Sequence, residues 1–160
     1  MASRYAAGMG WDAPAAISNM TGDAVDVRLA MDAEGHALAA WLQLSNGVYD
    51  LWTNRFTPDS GWSAAERIED EPGDVTTHTV AVGGDGAVIV AWAQYEGADG
   101  GARSRRYRTA TGWGPVRTID TPANAVVSSP RIAIKGDDDA VAVWLRTEAG
   151  STRVAASRFE

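Results

Sequence analysis

A repeat of about 51 residues runs through the whole chain and constrains the fold more than any other feature. One set of tryptophans follows alanine or valine, at Trp41, Trp92 and Trp144. A second set follows glycine, at Trp11, Trp62 and Trp113. An arginine followed by an aromatic residue shares the period, at positions 4–5, 55–56, 106–107 and 158–159. Self-similarity at such a period is typical of repeat architectures. We therefore predict a single repeat domain over 1–160, with units near 26–76, 77–128 and 129–160, the last completed by 1–25.

Each unit contains the pattern of four short strands. The first run alternates apolar with small or polar residues, as in a half-buried strand, over 27–31, 79–82 and 131–134. A turn follows at the same position of each repeat, which we call a phase of the repeat, as Glu34-Gly35, Asp85-Gly86 and Asp137-Asp138. The second run, such as "VIVAW", is almost continuously apolar, which favours a strand covered on both faces. A third run ends at the arginine–aromatic pair, and a fourth leads from Gly-Trp to Ile17, Ile68 or Ile119. No segment has a helical period, so the sequence predicts an all-β protein built from β-propeller blades.

The repeat also resembles a known family. The segments "MDAEGHALAAWLQ…LWTNRFTPDSGW…RIED" and "VGGDGAVIVAWAQ…SRRYRTATGWGPVRTID" are similar to the D-x-x-G-x-A-x-x-x-W…R-Y…G-W repeats of bacterial secreted and surface β-propeller proteins. The resemblance covers essentially the whole chain and implies blades of about 51 residues in a parent protein that is secreted or on the cell surface. The third unit departs from it, because Asp138 stands in place of the turn glycine.

Three blades do not close a ring, since propellers normally have about four to eight. Two copies would supply six blades, so we expect a homodimer. The last unit ends after its third strand at Phe159, whereas the segment around Trp11 reads as a fourth strand without a blade of its own. The strand around Trp11 would then complete the last blade of the other copy. A β-trefoil, which also has three repeats of four strands and is monomeric, is the alternative. The matched ends "ASRY" and "ASRF" suit a fragment excised or engineered from a longer propeller.

Composition excludes several classes of function. The net charge of −7 disfavours nucleic acid, which normally needs clustered positive charge. The longest apolar run, "AVIVAWA" at 87–93, is far shorter than the ~20 residues of a membrane helix, so no membrane insertion is expected. The chain has no cysteine, which excludes disulfides and thiolate ligands. The acidic run at 136–140 lacks the ligand spacing of an EF-hand, and no metal or cofactor is expected.

Candidate ligand-binding residues fall into two groups. Tryptophans of the Gly-Trp set lie on a short peripheral strand and could stack on sugars: Trp11, Trp62 and Trp113. The repeated arginines, among them Arg55 and Arg106, could bind carboxylates or polar sugars, or could tie strands together. Trp52 and Arg103 stand out because the repeat does not require them, and Arg103 opens a basic run with Arg105 and Arg108. The set at Trp41, Trp92 and Trp144 is interpreted as packing between blades.

No catalytic constellation is recognisable. His36 and His78 have no serine or paired carboxylate at a motif spacing, and nothing selects a pair among the 21 acidic residues. We therefore predict a non-enzymatic interaction or scaffold module that self-assembles into a closed ring. A carbohydrate-binding lectin with one site per blade is the main alternative, and a propeller-based hydrolase is a third.

Overall fold

The computed structural model describes residues 1–18, 21–97, 99–121, 125–136 and 139–159, and the chain is all-β. The N-terminal hairpin consists of β1 (Tyr5–Ala6) and β2 (Gly10–Trp11). The first sheet consists of β3 (Ala24–Met31), β4 (Ala37–Ser45), β5 (Val48–Thr57), β6 (Gly61–Trp62) and β7 (Glu66–Arg67). The second consists of β8 (Asp74–Val82), β9 (Val88–Glu96), β10 (Asp99–Arg108), β11 (Gly112–Trp113) and β12 (Arg117–Asp120). The third consists of β13 (Ala125–Lys135), β14 (Asp139–Glu148) and β15 (Ser151–Phe159).

Each sheet is an antiparallel meander whose neighbours in space are neighbours in sequence. The first sheet has the order β3-β4-β5-β6, with β7 also pairing with β5, and the second repeats this order from β8 to β11, with β12 on β10. The fourth strand of each predicted unit is therefore two short pieces on one edge. Within the described residues, the third sheet has three strands, β13-β14-β15. A 3-10 turn at Gly84–Gly86 is the helical element described, and no helix in this part of the chain is long and apolar enough to cross a membrane.

The turns follow the sequence signals. Gly35 and Gly86 occupy the predicted hairpin turns with φ of +90° and +72°, which glycine adopts at little cost. The third predicted turn, at Asp137-Asp138, lies outside the described residues. The pairing of β3 with β4 and of β13 with β14 shifts register at the same position of the repeat, where Asp26 and Ser129 have positive φ. Such bulges increase strand twist and bend the sheet locally.

The sheets pack face to face, and each sheet has two distinct faces. We call the face that carries Leu29, Val80 or Ile132 the leading face, and the face that carries Leu38, Ile89 or Val141 the trailing face. One buried cluster joins the trailing face of the first sheet to the leading face of the second, through Leu38, Ala40, Leu42, Leu51, Val88, Val90 and Trp92. Another joins the second sheet to the third, through Ala93, Ala102, Val127, Ala142 and Trp144. The hydrophobic core therefore lies between successive sheets.

The all-β expectation is confirmed, and one local expectation is corrected. The sequence predicts the segment around Trp11 as a fourth strand without a blade of its own. It pairs with residues 2–6 of the same chain, through the strand pair Tyr5↔Trp11 and the bridge Ala2↔Ala15. The reason is that residues 2–6 carry the sequence of a third strand and reach β2 through a tight turn of Ala7, Gly8 and Met9.

Candidate functional site

The leading face of the first sheet exposes apolar side chains whose counterparts in the other two sheets are partly buried. Leu29 is 62% exposed and Met31 58%, although Val80 and Val82 at the same phase pack against a buried cluster. The contrast is larger one position earlier, because Val27 is 70% exposed whereas His78 is fully buried. In the second sheet this face is covered by the first sheet. The first sheet therefore exposes an apolar face of the kind that packs on another sheet inside the chain, and among the described residues no sheet covers it.

The trailing face of the third sheet shows the complementary difference. Val154 is 72% exposed, whereas Ala102 at the same phase is 1% exposed and Leu51 is fully buried. Val141 is half exposed, whereas Ile89 and Leu38 are buried. One uncovered face is thus a leading face and the other is a trailing face. Inside the chain, a trailing face packs on a leading face twice.

Clefts accompany these faces. One of about 250 Å³ lies on the leading face of the first sheet and is lined by Ile17, Val25, Val27 and Trp41. Clefts of about 380 Å³ and 660 Å³ lie on the third sheet, the first beside Val141 and Lys135 and the second beside Val154. A smaller one of about 220 Å³ lies between the second and third sheets, next to Phe159.

The N-terminal hairpin covers part of the leading face of the first sheet. Asn54 Nδ2 donates to the carbonyl of Ile17 at 2.8 Å, and the guanidinium of Arg4 lies 5.8 Å from the ring of Phe56. Trp41 is only 3% exposed, although its sheet has no neighbouring sheet on that side among the described residues. The hairpin therefore takes the position that an outer strand of a preceding sheet would have.

The Gly-Trp tryptophans form one recurring contact. Each packs edge to face on the aromatic residue opposite it, with ring centroids 5.4 Å apart, in the pairs Tyr5–Trp11, Phe56–Trp62 and Tyr107–Trp113. Trp113 also donates its indole N–H to Glu66 at 2.6 Å. Trp62 and Trp113 are partly buried, whereas Trp11 is 72% exposed. Of the three proposed stacking residues, Trp11 offers the most surface.

The tryptophans of the first set are buried, Trp92 and Trp144 in the clusters between sheets. Trp41, Trp92 and Trp144 are buried, and their indole N–H groups donate to Gln43, Gln94 and Asp120 respectively. Trp52 lies opposite Trp41 in the strand pairing and is partly buried. Its indole Nε1 is buried without a hydrogen bond. Trp52 therefore belongs to the leading face of the first sheet and is not an isolated ligand platform.

The candidate arginines mostly join strands. Arg55 donates to the Tyr107 hydroxyl at 2.5 Å, from the first sheet to the second. Arg103 pairs with Glu71 at 2.7 Å, and Arg105 donates to the carbonyls of Gly114 and Ile68. Arg106 lines the cleft beside Phe159, together with Arg108 and Arg117. The predicted basic run is thus divided between structural contacts and this cleft.

Three titratable groups are shifted by their surroundings. Burial raises the pKa of Glu69 to about 8, with Asp50 adding to the shift, although Leu51 N donates to Glu69 Oε2 at 2.9 Å. Burial lowers the pKa of His78, which has Asp26 3.6 Å away. Burial acts to raise the pKa of Asp32, but hydrogen bonds from His36 and the Gly86 amide hold it below its usual value.

Each histidine has an aspartate as its neighbour. In the described part of the chain, His36 bonds to Asp32 and no serine or threonine is hydrogen-bonded to either histidine. No group of three metal-ligating side chains occurs among these residues either. Asp32 and His36 instead join two turns, since Gly86 belongs to the second sheet and a Cβ there would lie 3.2 Å from the His36 ring.

Because three blades do not close a ring, the sequence predicts two uncovered faces, but it does not say which residues lie on them. Leu29, Met31, Val141 and Val154 are ordinary strand residues, and only the comparison of exposure at equal phase identifies them. The signal was present in the arithmetic of the repeat, because the first and last units of an unclosed array have no covering neighbour. No known family model matches the chain, and no curated protein matches it.

Proposed function

We propose that this chain is a non-enzymatic β-propeller module whose function is self-assembly, with two copies closing a ring of six blades. The observation that carries the proposal is the pair of uncovered faces. Leu29 and Met31 on the first sheet have partly buried counterparts in the second sheet, Val80 and Val82, and Val141 and Val154 on the third sheet have buried counterparts in the other two. In a two-fold head-to-tail pair, each copy would cover both faces of the other.

Sheet stacking supports blades over the barrel of a trefoil. Each of the three sheets is an antiparallel meander that pairs with no other sheet among the described residues, and the core lies between sheets. Each unit repeats the same leading-to-trailing packing, so adding a second copy continues an arrangement that already occurs twice in the chain. For the pair to close, the rotations from one sheet to the next must add up to half a turn per chain. A closed pair would have twice the mass of one chain in solution.

The carbohydrate-binding alternative has less support. A sugar site needs exposed aromatic faces with convergent polar groups. The indole N–H of Trp113 is bonded to Glu66, and Arg55 and Arg103 are engaged with Tyr107 and Glu71. A hydrolase has less support again, because Glu69 is buried between strands and Asp32 is bonded to His36.

The test is the mass of the chain in solution, by sedimentation velocity over a range of concentrations. We expect a species of twice the 16.9 kDa monomer mass that dissociates on dilution. Leu29→Asp should produce a folded monomer, because it places a carboxylate in the interface without a partner. Ser60→Asp is the control for the added charge, because Ser60 is exposed in the turn between β5 and β6 and lies on neither face. A monodisperse monomer of the unmodified chain would overturn the proposal.

A further inference from the structure

We infer that residues 10–17 of one copy complete the third sheet of a second copy, with Trp11 seated in the cleft beside the partner's Phe159. To do so they must leave residues 2–6 of their own chain. The inference rests on the proposed self-assembly and adds to it the contacting residues and a competition between two strands. It concerns the edges of the sheets, whereas the proposed function concerns their faces.

The hairpin has the register of a third and fourth strand. Tyr5↔Trp11 and Ala6↔Gly10 correspond to Phe56↔Trp62 and Thr57↔Gly61, and the Asp12 amide donates to the Arg4 carbonyl as Ser63 does to Arg55. Strand β15 ends at Arg158-Phe159, the phase of Arg4-Tyr5. Because the two segments read "ASRY" and "ASRF", residues 155–159 of a partner offer β2 the same backbone and nearly the same side chains.

The hairpin also has the right position relative to the first sheet. Asn54 donates to the carbonyl of Ile17 at 2.8 Å, and Arg105 donates to the carbonyl of Ile68 at the same distance. These are the same two phases of the repeat, one sheet apart. The segment 10–17 therefore stands where the outer strand of the sheet preceding the first sheet would stand. In the proposed ring, that preceding sheet is the third sheet of the second copy.

The cleft beside Phe159 matches a place that tryptophan fills elsewhere in the chain. It measures about 220 Å³ and is lined by Ile89, Pro115 and Arg117 as well as Phe159. One sheet earlier, the ring of Trp113 packs on Tyr107 and its indole bonds to Glu66. One repeat later, Phe159 takes the position of Tyr107 and Arg117 takes the position of Glu66. A tryptophan of a second copy would thus meet an aromatic ring and a guanidinium, which favours cation–π packing.

Trp11 suits this cleft by its exposure. It is 72% exposed in its own hairpin, where its ring packs edge to face with Tyr5, itself more than half exposed. Exchanging Tyr5 for a partner's Phe159 preserves the edge-to-face contact and buries the indole. The strand pairing lost and gained is almost identical, so the net gain comes from the burial of Trp11 and from the sheet faces that come together.

Single cysteines at two alanines test the exchange directly, because the chain has no cysteine of its own. Ala15 bridges Ala2, and in complete sheets the same pairing joins Thr53 to Glu66 and Ser104 to Arg117. The partner of Ala15 in a second copy is therefore Ala156. Ala15 and Ala156 are exposed, and directly opposed strand residues have Cα atoms close enough for a disulfide. Ala15→Cys and Ala156→Cys, mixed and oxidised, should give a covalent dimer, whereas either variant alone should stay monomeric on a denaturing gel.

The double variant Ala2→Cys with Ala15→Cys is the control that blocks exchange. Its internal disulfide should hold the hairpin closed and weaken dimerisation at least tenfold, with recovery on reduction. Trp11→Ala should weaken it similarly, whereas Trp62→Ala, the same change within one chain, should not. If the chain is dimeric by mass but the mixed cysteines do not couple, exchange is wrong and self-assembly stands. If no dimer forms at all, both are wrong.

Discussion

The guanidinium of Arg55 lies 3.8 Å from the centre of the Tyr107 ring and donates a hydrogen bond to the same residue's hydroxyl at 2.5 Å. One side chain of the first sheet thereby makes a cation–π contact and a hydrogen bond to the second sheet. Arg4 occupies the same position of the repeat, and its guanidinium lies 5.8 Å from the centre of the Phe56 ring, which has no hydroxyl. The repeated arginine is thus a connection between sheets, and its partner's hydroxyl distinguishes one junction from another.

Tyr107→Phe should destabilise the chain by about 1 kcal/mol, the usual net contribution of one hydrogen bond. The ring and its cation–π contact remain, so the loss should be limited to the hydroxyl. For a chain of this size that corresponds to a melting temperature lower by ~2–4 °C. Tyr5→Phe is the matched control, because Tyr5 has the same phase and the same tryptophan contact but is largely exposed. Equal melting temperatures for the two variants would contradict the role of the hydroxyl.

Glu69→Gln should change how stability depends on pH. Burial raises the pKa of folded Glu69 to about 8 from 4.5, so folding takes up a proton between these values. The folded state is then favoured at low pH, and this contribution is lost as the pH rises from 4.5 to 8, with a slope of at most ~1.4 kcal/mol per pH unit. Glutamine does not titrate and can still accept the hydrogen bond of Leu51 N.

The measurement is urea unfolding of the two proteins at pH 5, 6, 7 and 8. The Gln variant should gain stability relative to the parent as the pH rises, since Asp50, Arg67 and His78 are common to both. Asp70→Asn, at an exposed neighbouring carboxylate, should show no such trend. A difference between Glu69→Gln and the parent that stays constant over this range would show that Glu69 is ionised throughout.

Asp32→Asn should destabilise the junction of the first two sheets in the opposite pH range. Burial raises and the hydrogen bonds from His36 and Gly86 lower the pKa of Asp32, and the hydrogen bonds prevail. A depressed pKa stabilises the folded state above the unfolded value of 3.8, and this stabilisation is lost as the pH falls through the folded pKa.

We therefore expect Asp32→Asn to cost ~1.5–3 kcal/mol at pH 7, the range for hydrogen bonds to a charged group. The difference from the parent should shrink below pH 4 in acid-unfolding curves followed by tryptophan fluorescence. Asp59→Asn, at an exposed loop position, should follow the parent at every pH. If Asp32→Asn loses the same amount of stability in acid as at pH 7, the loss comes from altered packing and not from the charge of Asp32.

The repeat predicted the strands well because the same strand pattern occurs in each of three units, so each unit supports the interpretation of the others. Trp41, Trp92 and Trp144 occur at one phase and all three are buried, Trp92 and Trp144 in the clusters that lie between sheets. What the sequence could not predict depends on which neighbour a residue meets. Leu29 and Val80 have the same pattern around them, yet only Leu29 is exposed.

The pairing of the N-terminal segment was also beyond sequence reasoning, for a physical reason. Tyr5 and Phe159 stand in almost identical four-residue contexts, so local sequence gives β2 no preference between them. The short connection from Ala6 to Gly10 decides the choice inside one chain, because closing a short loop costs less entropy than bringing in a distant strand. Cross-sheet contacts such as Asp32 with Gly86 are likewise invisible to a pattern of single strands.

Opposite charges on the two uncovered faces should make two defective chains assemble with each other. Leu29→Asp disables the leading face of the first sheet, and Val154→Lys disables the trailing face of the third, so each variant alone should be monomeric. In a mixed pair, one junction combines Asp with Lys and the other keeps Leu29 and Val154 unchanged. The mixture should therefore sediment as a heterodimer, while Leu29→Asp mixed with Ser60→Lys, a charge in the exposed turn between β5 and β6, should not restore Leu29→Asp to the dimer. Recovery in both mixtures would show non-specific attraction, and recovery in neither would mean that these two faces do not meet.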